Sequence, residues 1–120
     1  MTLPRDETVL LHNPRCSKSR RTKELLEERG AAFRVRLYLE EPLSLDELRD
    51  LGKRLGRPAG EWTRQKEAAF AEAGLTAGSD EEAILAGMAD HPILMERPIL
   101  VCGDRAAIGR PPEDVLELLG

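Results

Sequence analysis

The sequence predicts an α/β domain in which helices cover a mixed β-sheet, and three observations lead to this expectation. Short apolar runs of β-prone residues occur near the beginning of the chain, in its first third and near its end. Between them lie segments whose leucines repeat every three to four residues, as on the buried face of a helix. The resulting order, β-α-β, a helical segment and then β-β-α, is typical of layered α/β architectures. We expect a mixed sheet because the first two strands need a crossover, whereas a short turn joins the last two.

The β-α-β unit occupies the beginning of the chain. Residues 8–11 (Thr-Val-Leu-Leu) form a β-prone run that ends in a loop. Ser17 or Ser19 can cap the helix that follows, and Gly30 ends that helix. Residues 33–39 alternate between apolar and polar side chains, which predicts the second strand.

The remaining elements fill the second half of the chain. Ser44 begins a helix with the sequence of a capping box, followed by a stripe of leucines at helical spacing. Further predicted elements are helices over 62–73 and 80–89, strands over 98–102 and 106–108, and a last helix that opens at Pro111-Pro112.

The composition is that of one globular domain over residues 1–120. Hydrophobic residues make up 41% of the chain and charged residues 33%, so the chain can bury a core without metal or disulfide crosslinks. No stretch without Asp, Glu, Lys or Arg exceeds seven residues, which is far short of the ~20 that span a bilayer. Acidic residues occur as early as Asp6 and Glu7, so the first residues form no apolar signal segment. We therefore expect a soluble cytoplasmic protein without a membrane partner.

The charges are unevenly distributed. The net charge is −4, which argues against nucleic acid or anionic membranes as partners. Residues 12–23 nevertheless carry five basic side chains and no acid, so the rest of the chain carries −9. This basic segment surrounds Cys16.

Cys16 is the candidate reactive residue. It lies between a predicted strand and a predicted helix, where free backbone N–H groups and the helix dipole favour a thiolate. Neighbouring Arg15, Lys18 and Arg20 act in the same direction, and a protonated His12 would add to them. The alternative is a small residue at a turn beside a solvated basic face.

Several other chemistries are excluded around Cys16. A dithiol oxidoreductase would need a second cysteine where Ser19 stands, and a Cys-x5-Arg phosphatase loop would need arginine where Thr22 stands. His12 and Cys16 form at best a pair of zinc ligands, so we expect no metal site. Cys102 is expected to be a buried strand residue, because most free cysteines are buried.

Four segments carry a resemblance to a known family. They are residues 12–20 (His-Asn-Pro-Arg-Cys-Ser-Lys-Ser-Arg), 38–40 (Tyr-Leu-Glu), 91–99 (His-Pro-Ile-Leu-Met-Glu-Arg-Pro-Ile) and 108–111 (Ile-Gly-Arg-Pro). In these segments the chain resembles the glutaredoxin-coupled arsenate reductases. The resemblance spans about residues 8–119 and implies a thioredoxin-like fold with a helical insertion over about 42–92.

The resemblance also implies roles for single residues. The family's nucleophile falls on Cys16, and the residues that support its thiolate fall on His12 and Ser19. A cis peptide bond is implied between Arg97 and Pro98.

The substrate of such an enzyme would be arsenate or a similar oxyanion. The resemblance places the arginines that bind it at Arg64, Arg97 and Arg110. Arginine suits this role because its planar fork matches the geometry of an oxyanion. Glutathione would be a co-substrate and glutaredoxin a protein partner, with no bound cofactor, and we expect a monomer.

Two departures from the family pattern and one rival function remain. Cys16-Ser17-Lys18-Ser19 replaces the usual Cys-Gly-Thr-Ser and adds a cation, and Glu96 stands where many members carry a neutral residue. A related branch, the Spx-type regulators, binds RNA polymerase and implies a non-enzymatic adaptor. Such regulators often switch through a Cys-x-x-Cys pair, which this chain lacks.

Overall fold

The computed structural model describes residues 3–119. Four strands form one sheet in the order β2-β1-β3-β4, with β1 parallel to β2 and both other pairs antiparallel. The mixed sheet expected from the sequence is therefore confirmed. The strands are β1 (Thr8–His12), β2 (Arg34–Leu37), β3 (Ile99–Cys102) and β4 (Arg105–Ile108).

Most of the helical structure lies between β2 and β3, in the region where the insertion was expected. No helix within residues 3–119 has the length and apolar character needed to cross a bilayer. The α-helices in this described part of the chain are α1 (Ser17–Glu28), α2 (Leu45–Leu55), α3 (Ala68–Glu72) and α4 (Glu81–Asp90). Short 3-10 helices span Ala59–Glu61 and Pro92–Leu94, and a longer one, Pro112–Leu119, lies where the last helix was predicted.

Each face of the sheet buries its own apolar cluster. Leu10 and Leu100 are directly paired across β1 and β3, and both point into the smaller cluster with Leu26 of α1 and Val115. Their strand neighbours point to the opposite face, because side chains alternate along a strand. That face holds the larger cluster, which includes the fully buried Trp62.

The capping box predicted at Ser44 is confirmed. The Ser44 hydroxyl accepts the backbone N–H of Glu47 at 3.1 Å, and the Glu47 carboxylate accepts the backbone N–H of Ser44 at 2.9 Å. Burial raises the pKa of Glu47, but hydrogen bonds from Arg36 and from Ser44 outweigh it and lower the pKa overall. The start of α2 is thus fixed by local chemistry that is visible in the sequence.

The helix predicted over 62–73 is wrong for its first half. Thr63 forms an antiparallel β-bridge with Met95, and the backbone N–H of Arg64 donates to the carbonyl of Leu94. The backbone N–H of Glu96 donates to the carbonyl of Trp62 at 3.0 Å. Because these groups bond to a distant segment, they do not form the i to i−4 bonds of a helix. The helix α3 begins only at Ala68.

The second strand is also shorter than the predicted 33–39. It ends at Leu37, because the backbone N–H groups of Glu40 and Glu41 both donate to the Leu37 carbonyl and turn the chain out of the sheet. Tyr38, the residue after the strand, is 1% exposed.

We predict that Gly109→Ala destabilises the protein by about 1–3 kcal/mol, because an added methyl group overpacks a dense site. A Cβ at Gly109 would lie 2.8 Å from Pro98 Cγ and 2.8 Å from Thr22 Oγ1. Thermal and urea unfolding measure the change.

Gly52→Ala is the matched control for this substitution. A Cβ at Gly52 meets Trp62 at an ordinary 3.4 Å, and alanine is the better helix former, so stability should stay equal or rise by up to ~1 kcal/mol. Equal stability of the Gly109→Ala and wild-type proteins would contradict the close approach of Gly109 to Pro98.

Candidate active site

The strand register brings the ends of all four strands to one edge of the sheet. In the parallel pair, His12 at the end of β1 lies beside Leu37 at the end of β2. In the antiparallel pairs, Leu11 near the end of β1 faces Ile99 at the start of β3, and Ile99 faces Ile108 at the end of β4. The loops that leave these strand ends are therefore neighbours in space.

Four of these loop residues carry chemistry. Cys16 follows β1 and Tyr38 follows β2, while Arg97 precedes β3 and Arg110 follows β4. The peptide bonds Arg97-Pro98 and Arg110-Pro111 are both cis, the first as the family resemblance implied. One predicted site residue, Arg64, reaches the same region from the insertion through the bridge between Thr63 and Met95.

Cys16 is the N-cap residue of α1, a position that the sequence suggested for Ser17 or Ser19. The capping prediction is wrong because Ser17 is already the first helical residue, and because Ser19 turns its hydroxyl toward the end of β1. Cys16 forms no side-chain capping hydrogen bond, yet backbone N–H groups of the first helical turn face its sulfur. The helix start thus offers its unpaired donors to the Cys16 sulfur.

The pKa of the Cys16 thiol lies below its usual value as the result of opposing effects. Burial raises the pKa and is the largest single contribution. It is outweighed by hydrogen bonds from the backbone of Ser19, from the Arg97 side chain and from the backbone of Lys18, together with the charge of Arg97. The exposed cations of the basic segment are not among these main causes. The thiolate is stabilised chiefly by backbone N–H groups and by Arg97, which is distant in the sequence but adjacent in space.

Ser19 and His12 form a buried pair beneath the Cys16 loop. The Ser19 hydroxyl oxygen lies 2.6 Å from Nδ1 of His12 and accepts the backbone N–H of Asn13 at 3.0 Å. Burial lowers the pKa of His12, and the charges of Lys23 and Arg20 lower it further, so the imidazole is neutral at neutral pH. The pair therefore holds the loop in shape rather than adding a positive charge near the thiol.

Arg97 and Tyr38 present unused donors close to the thiol. The Nε and Nη1 atoms of Arg97 are buried and have no hydrogen-bond partner among residues 3–119, so the interaction of Arg97 with the thiol leaves these two donors free. The buried hydroxyl of Tyr38 has no well-aligned partner there either, although the Asn13 side chain is close enough to lower its pKa. Burial raises the pKa of Tyr38 to about 12, although the neighbouring charges of Arg97 and Arg64 and the side chain of Asn13 oppose the rise. Buried donors without partners are costly, so groups that persist in this state are candidates for binding a ligand.

The other two arginines are already engaged by acidic residues. Nε of Arg110 lies 3.0 Å from Glu96 Oε2 and also donates to the Arg97 carbonyl at 3.0 Å. Nε of Arg64 lies 3.7 Å from the second oxygen of Glu96, and Nη1 of Arg64 lies 2.6 Å from Glu67. The Arg64–Glu67 contact is an ion pair without the alignment of a hydrogen bond. Glu96 thus bridges two of the three predicted oxyanion-binding arginines.

Arg64, Arg110 and their carboxylate partners line an open cavity of about 480 Å³. Thr63, Arg64, Glu67, Glu96 and Arg110 contribute to its walls. Among residues 3–119, no three side chains of His, Cys, Asp or Glu are arranged to hold a metal ion. The cavity wall therefore combines the guanidinium groups of Arg64 and Arg110 with the carboxylates of Glu67 and Glu96.

Two site residues were not assigned a role from the sequence. Tyr38 lies in a segment that carries the family resemblance, but a single tyrosine at a strand end gives no signal of a buried hydroxyl. Glu96 was noted only as a departure from the family, and its contact with Arg64 depends on the unpredicted bridge between Thr63 and Met95. Cys102, expected to be buried, is half-buried, and its thiol donates to the Leu118 carbonyl at 3.8 Å.

We predict that alkylation of Cys16 by iodoacetamide rises with pH through a midpoint below the usual pKa of a cysteine thiol. Because Arg97 lowers this pKa, Arg97→Gln should move the midpoint upward and slow alkylation at pH 7 by roughly 2–5-fold. The shift should be modest because the backbone donors of Ser19 and Lys18 remain. Arg110→Gln is the control and should leave the midpoint in place. A midpoint that Arg97→Gln does not move would contradict the contact between Arg97 and the thiol.

Comparison with known proteins agrees with this geometry. The chain matches the model of the ArsC family over residues 11–118. It is 53% identical to the uncharacterized protein YfgD of Escherichia coli K12, over 95% of this chain and 98% of that protein. It is 44% identical to an arsenate reductase of Neisseria meningitidis, over 94% of this chain and 98% of the relative.

A solved structure shows the same fold. The arsenate reductase from Vibrio cholerae superimposes with a TM-score of 0.88 at 45% identity, covering 94% of this chain and 98% of that one. The thioredoxin-like fold implied by the sequence resemblance is therefore confirmed. Since the family model covers most of the chain and relatives exceed 40% identity along nearly their whole length, this protein belongs to the ArsC family.

Proposed function

We propose that this protein reduces arsenate to arsenite, with Cys16 as its single nucleophile and with glutathione and glutaredoxin as the source of electrons. The observation that carries the proposal is the pairing of a thiol of lowered pKa with the unused buried donors of Arg97. The arsenate reductases among its relatives support arsenate as the oxyanion.

Binding would rest on the guanidinium groups at the sheet edge. Arsenate is a tetrahedral oxyanion, and arginine donates two parallel N–H groups to such a partner. Arg97 would hold the anion against the sulfur, with Arg64 and Arg110 on its far side. Fixed donors in a partly dry pocket also stabilise charge that develops on the oxygens during the reaction, which is the larger part of most such catalysis.

The proposed chemistry begins with the Cys16 thiolate. It attacks arsenic and displaces a protonated oxygen as water, which forms a sulfur–arsenic bond. Glutathione thiolate then attacks the sulfur of Cys16, the sulfur–arsenic bond breaks, and its electron pair reduces As(V) to As(III) as arsenite leaves.

The cycle closes with a disulfide exchange. Glutaredoxin takes glutathione from the mixed disulfide and returns the Cys16 thiolate. The two thiols supply both electrons, so the scheme needs no metal, flavin or nucleotide. Such exchange fits the cytoplasm, where glutathione keeps protein thiols reduced.

The rival adaptor function would need an apolar docking patch separate from the Cys16 site. Within residues 3–119, the exposed large apolar side chains are Leu39 and Leu119. Leu39 lines a cavity with His12, Pro14 and Arg15 of the Cys16 loop. No observation here favours the adaptor over the enzyme.

We predict that Cys16→Ser abolishes arsenate turnover by the purified protein in the presence of glutathione and glutaredoxin. Cys102→Ser should keep turnover within a few-fold of wild type, because the Cys102 thiol packs against Thr8 and Leu118. Comparable losses in the two variants would identify Cys102 as a resolving thiol and overturn the single-cysteine scheme.

Arg97→Lys tests the role of the planar fork. Lysine keeps the charge and loses the paired donors, so kcat/KM for arsenate should fall by roughly 10–100-fold, about 1.4–2.7 kcal/mol. Arg97→Ala should lower it further, because the charge is lost as well. Wild-type kinetics for Arg97→Lys would show that Arg97 does not bind the oxyanion through its fork.

A further inference from the structure

The carboxylate of Glu96 occupies the space between two arginines that the proposed function needs for its substrate. One carboxylate oxygen lies 3.0 Å from Nε of Arg110, and the other lies 3.7 Å from Nε of Arg64. All three side chains are partly buried, between 22% and 29% exposed. The contact is therefore less screened by solvent than a surface ion pair.

The backbone keeps Glu96 in this position. Its N–H donates to the carbonyl of Trp62 at 3.0 Å, and Trp62 is fully buried. The carbonyl of its neighbour Arg97 accepts a hydrogen bond from Nε of Arg110. Glu96 therefore sits on a held segment, with its carboxylate directed at the two guanidinium groups.

The charges of the site nearly cancel. Its three arginines carry three positive charges, and the two carboxylates that contact them, Glu67 and Glu96, cancel two. When Cys16 is ionised, its thiolate cancels the third. Lys66 lies exposed on the rim of the same cavity. An incoming anion thus meets a site with excellent donors and little net positive charge.

We propose that Glu96 is a specificity-determining residue of the anion site and that it selects monoanions over dianions. This inference rests on the proposed function, because it assumes that the substrate anion lies between the arginines and Cys16. In this role the negative charge of Glu96, held between Arg64 and Arg110, opposes the charge of any anion that approaches these two arginines.

The charge dependence follows from Coulomb's law. The repulsion between Glu96 and a bound anion scales with the charge of the anion, so a dianion is opposed twice as strongly as a monoanion. Removing the charge of Glu96 should therefore raise the affinity for both anions. Because the energy gained by a dianion is twice that gained by a monoanion, its affinity should rise by the square of the monoanion's factor. A residue that merely held the arginines in place would give the opposite sign, because its loss would weaken both anions.

The test measures how sulfate and nitrate protect Cys16 from iodoacetamide at constant ionic strength. Each alkylation rate is normalised to the rate of the same variant without added anion. Glu96→Gln should raise the affinity for nitrate by roughly 3-fold and the affinity for sulfate by roughly 10-fold. Equal factors for the two anions, or weaker binding of both, would overturn the proposal. Glu96→Ala is a second variant that should show the same ordering.

Glu67→Gln is the matched control, since Glu67 also neutralises Arg64 but contacts neither Arg110 nor Arg97 in the described structure. It should change sulfate binding less than Glu96→Gln does, and an equal change would overturn the assignment to Glu96.

Arsenate turnover of the wild-type protein separates the two proposals. If the wild-type protein turns over arsenate but Glu96→Gln does not change the anion preference, the reductase function is supported and the role of Glu96 is refuted. The predicted preference without turnover would leave the role of Glu96 standing and remove the reductase.

Discussion

Leu11 of β1 pairs with Ile99 of β3 in an antiparallel register, and this pairing sets the loop after one strand beside the loop before the other. Cys16 and Arg97 meet for this reason, although 80 residues separate them in the chain. A slip of one residue would turn the side chains of the strand to the opposite face, because they alternate. Leu10 would then leave the smaller apolar cluster, so the burial of that cluster also protects the geometry of the site.

The thiol depends on a second constraint, which is the shape of the loop between β1 and α1. One buried hydroxyl, that of Ser19, contacts both the His12 ring and the backbone of Asn13. It ties the end of the strand to the first turn of the helix and so aims the free N–H groups of that turn at Cys16. Burial alone would raise the pKa of the thiol. These donors and Arg97 outweigh the effect of burial, so the pKa is lowered. His12 contributes to the shape of this loop through its contact with Ser19, and not through a positive charge near the thiol.

The sequence predicted those parts of the molecule that are fixed locally. The capping box at Ser44 depends on a short-range pattern and is present, and the mixed sheet follows from the order of the elements along the chain. Residues 62–67 were predicted as helix, since periodicity cannot show that Thr63 bonds to Met95 across the fold. The same tertiary contact carries Arg64 to the site and sets it beside Glu96. Partners of this kind are fixed by long-range pairing, which no local pattern in one sequence reveals.

The two sides of the proposed anion site differ in how their donors are used. Arg97 and Tyr38 keep buried donors without a well-aligned partner among residues 3–119, and each such group costs about 1–3 kcal/mol of stability. The fold tolerates this cost because both residues lie at strand ends, where the pairing of the sheet holds them. Arg110 lies opposite them and already has a carboxylate as its partner. Under the proposed function, an oxyanion would gain most where it meets Arg97 and would face the carboxylate of Glu96 where it meets Arg110. That difference would draw the anion toward the Cys16 sulfur, which is where the chemistry of a thiol nucleophile requires it.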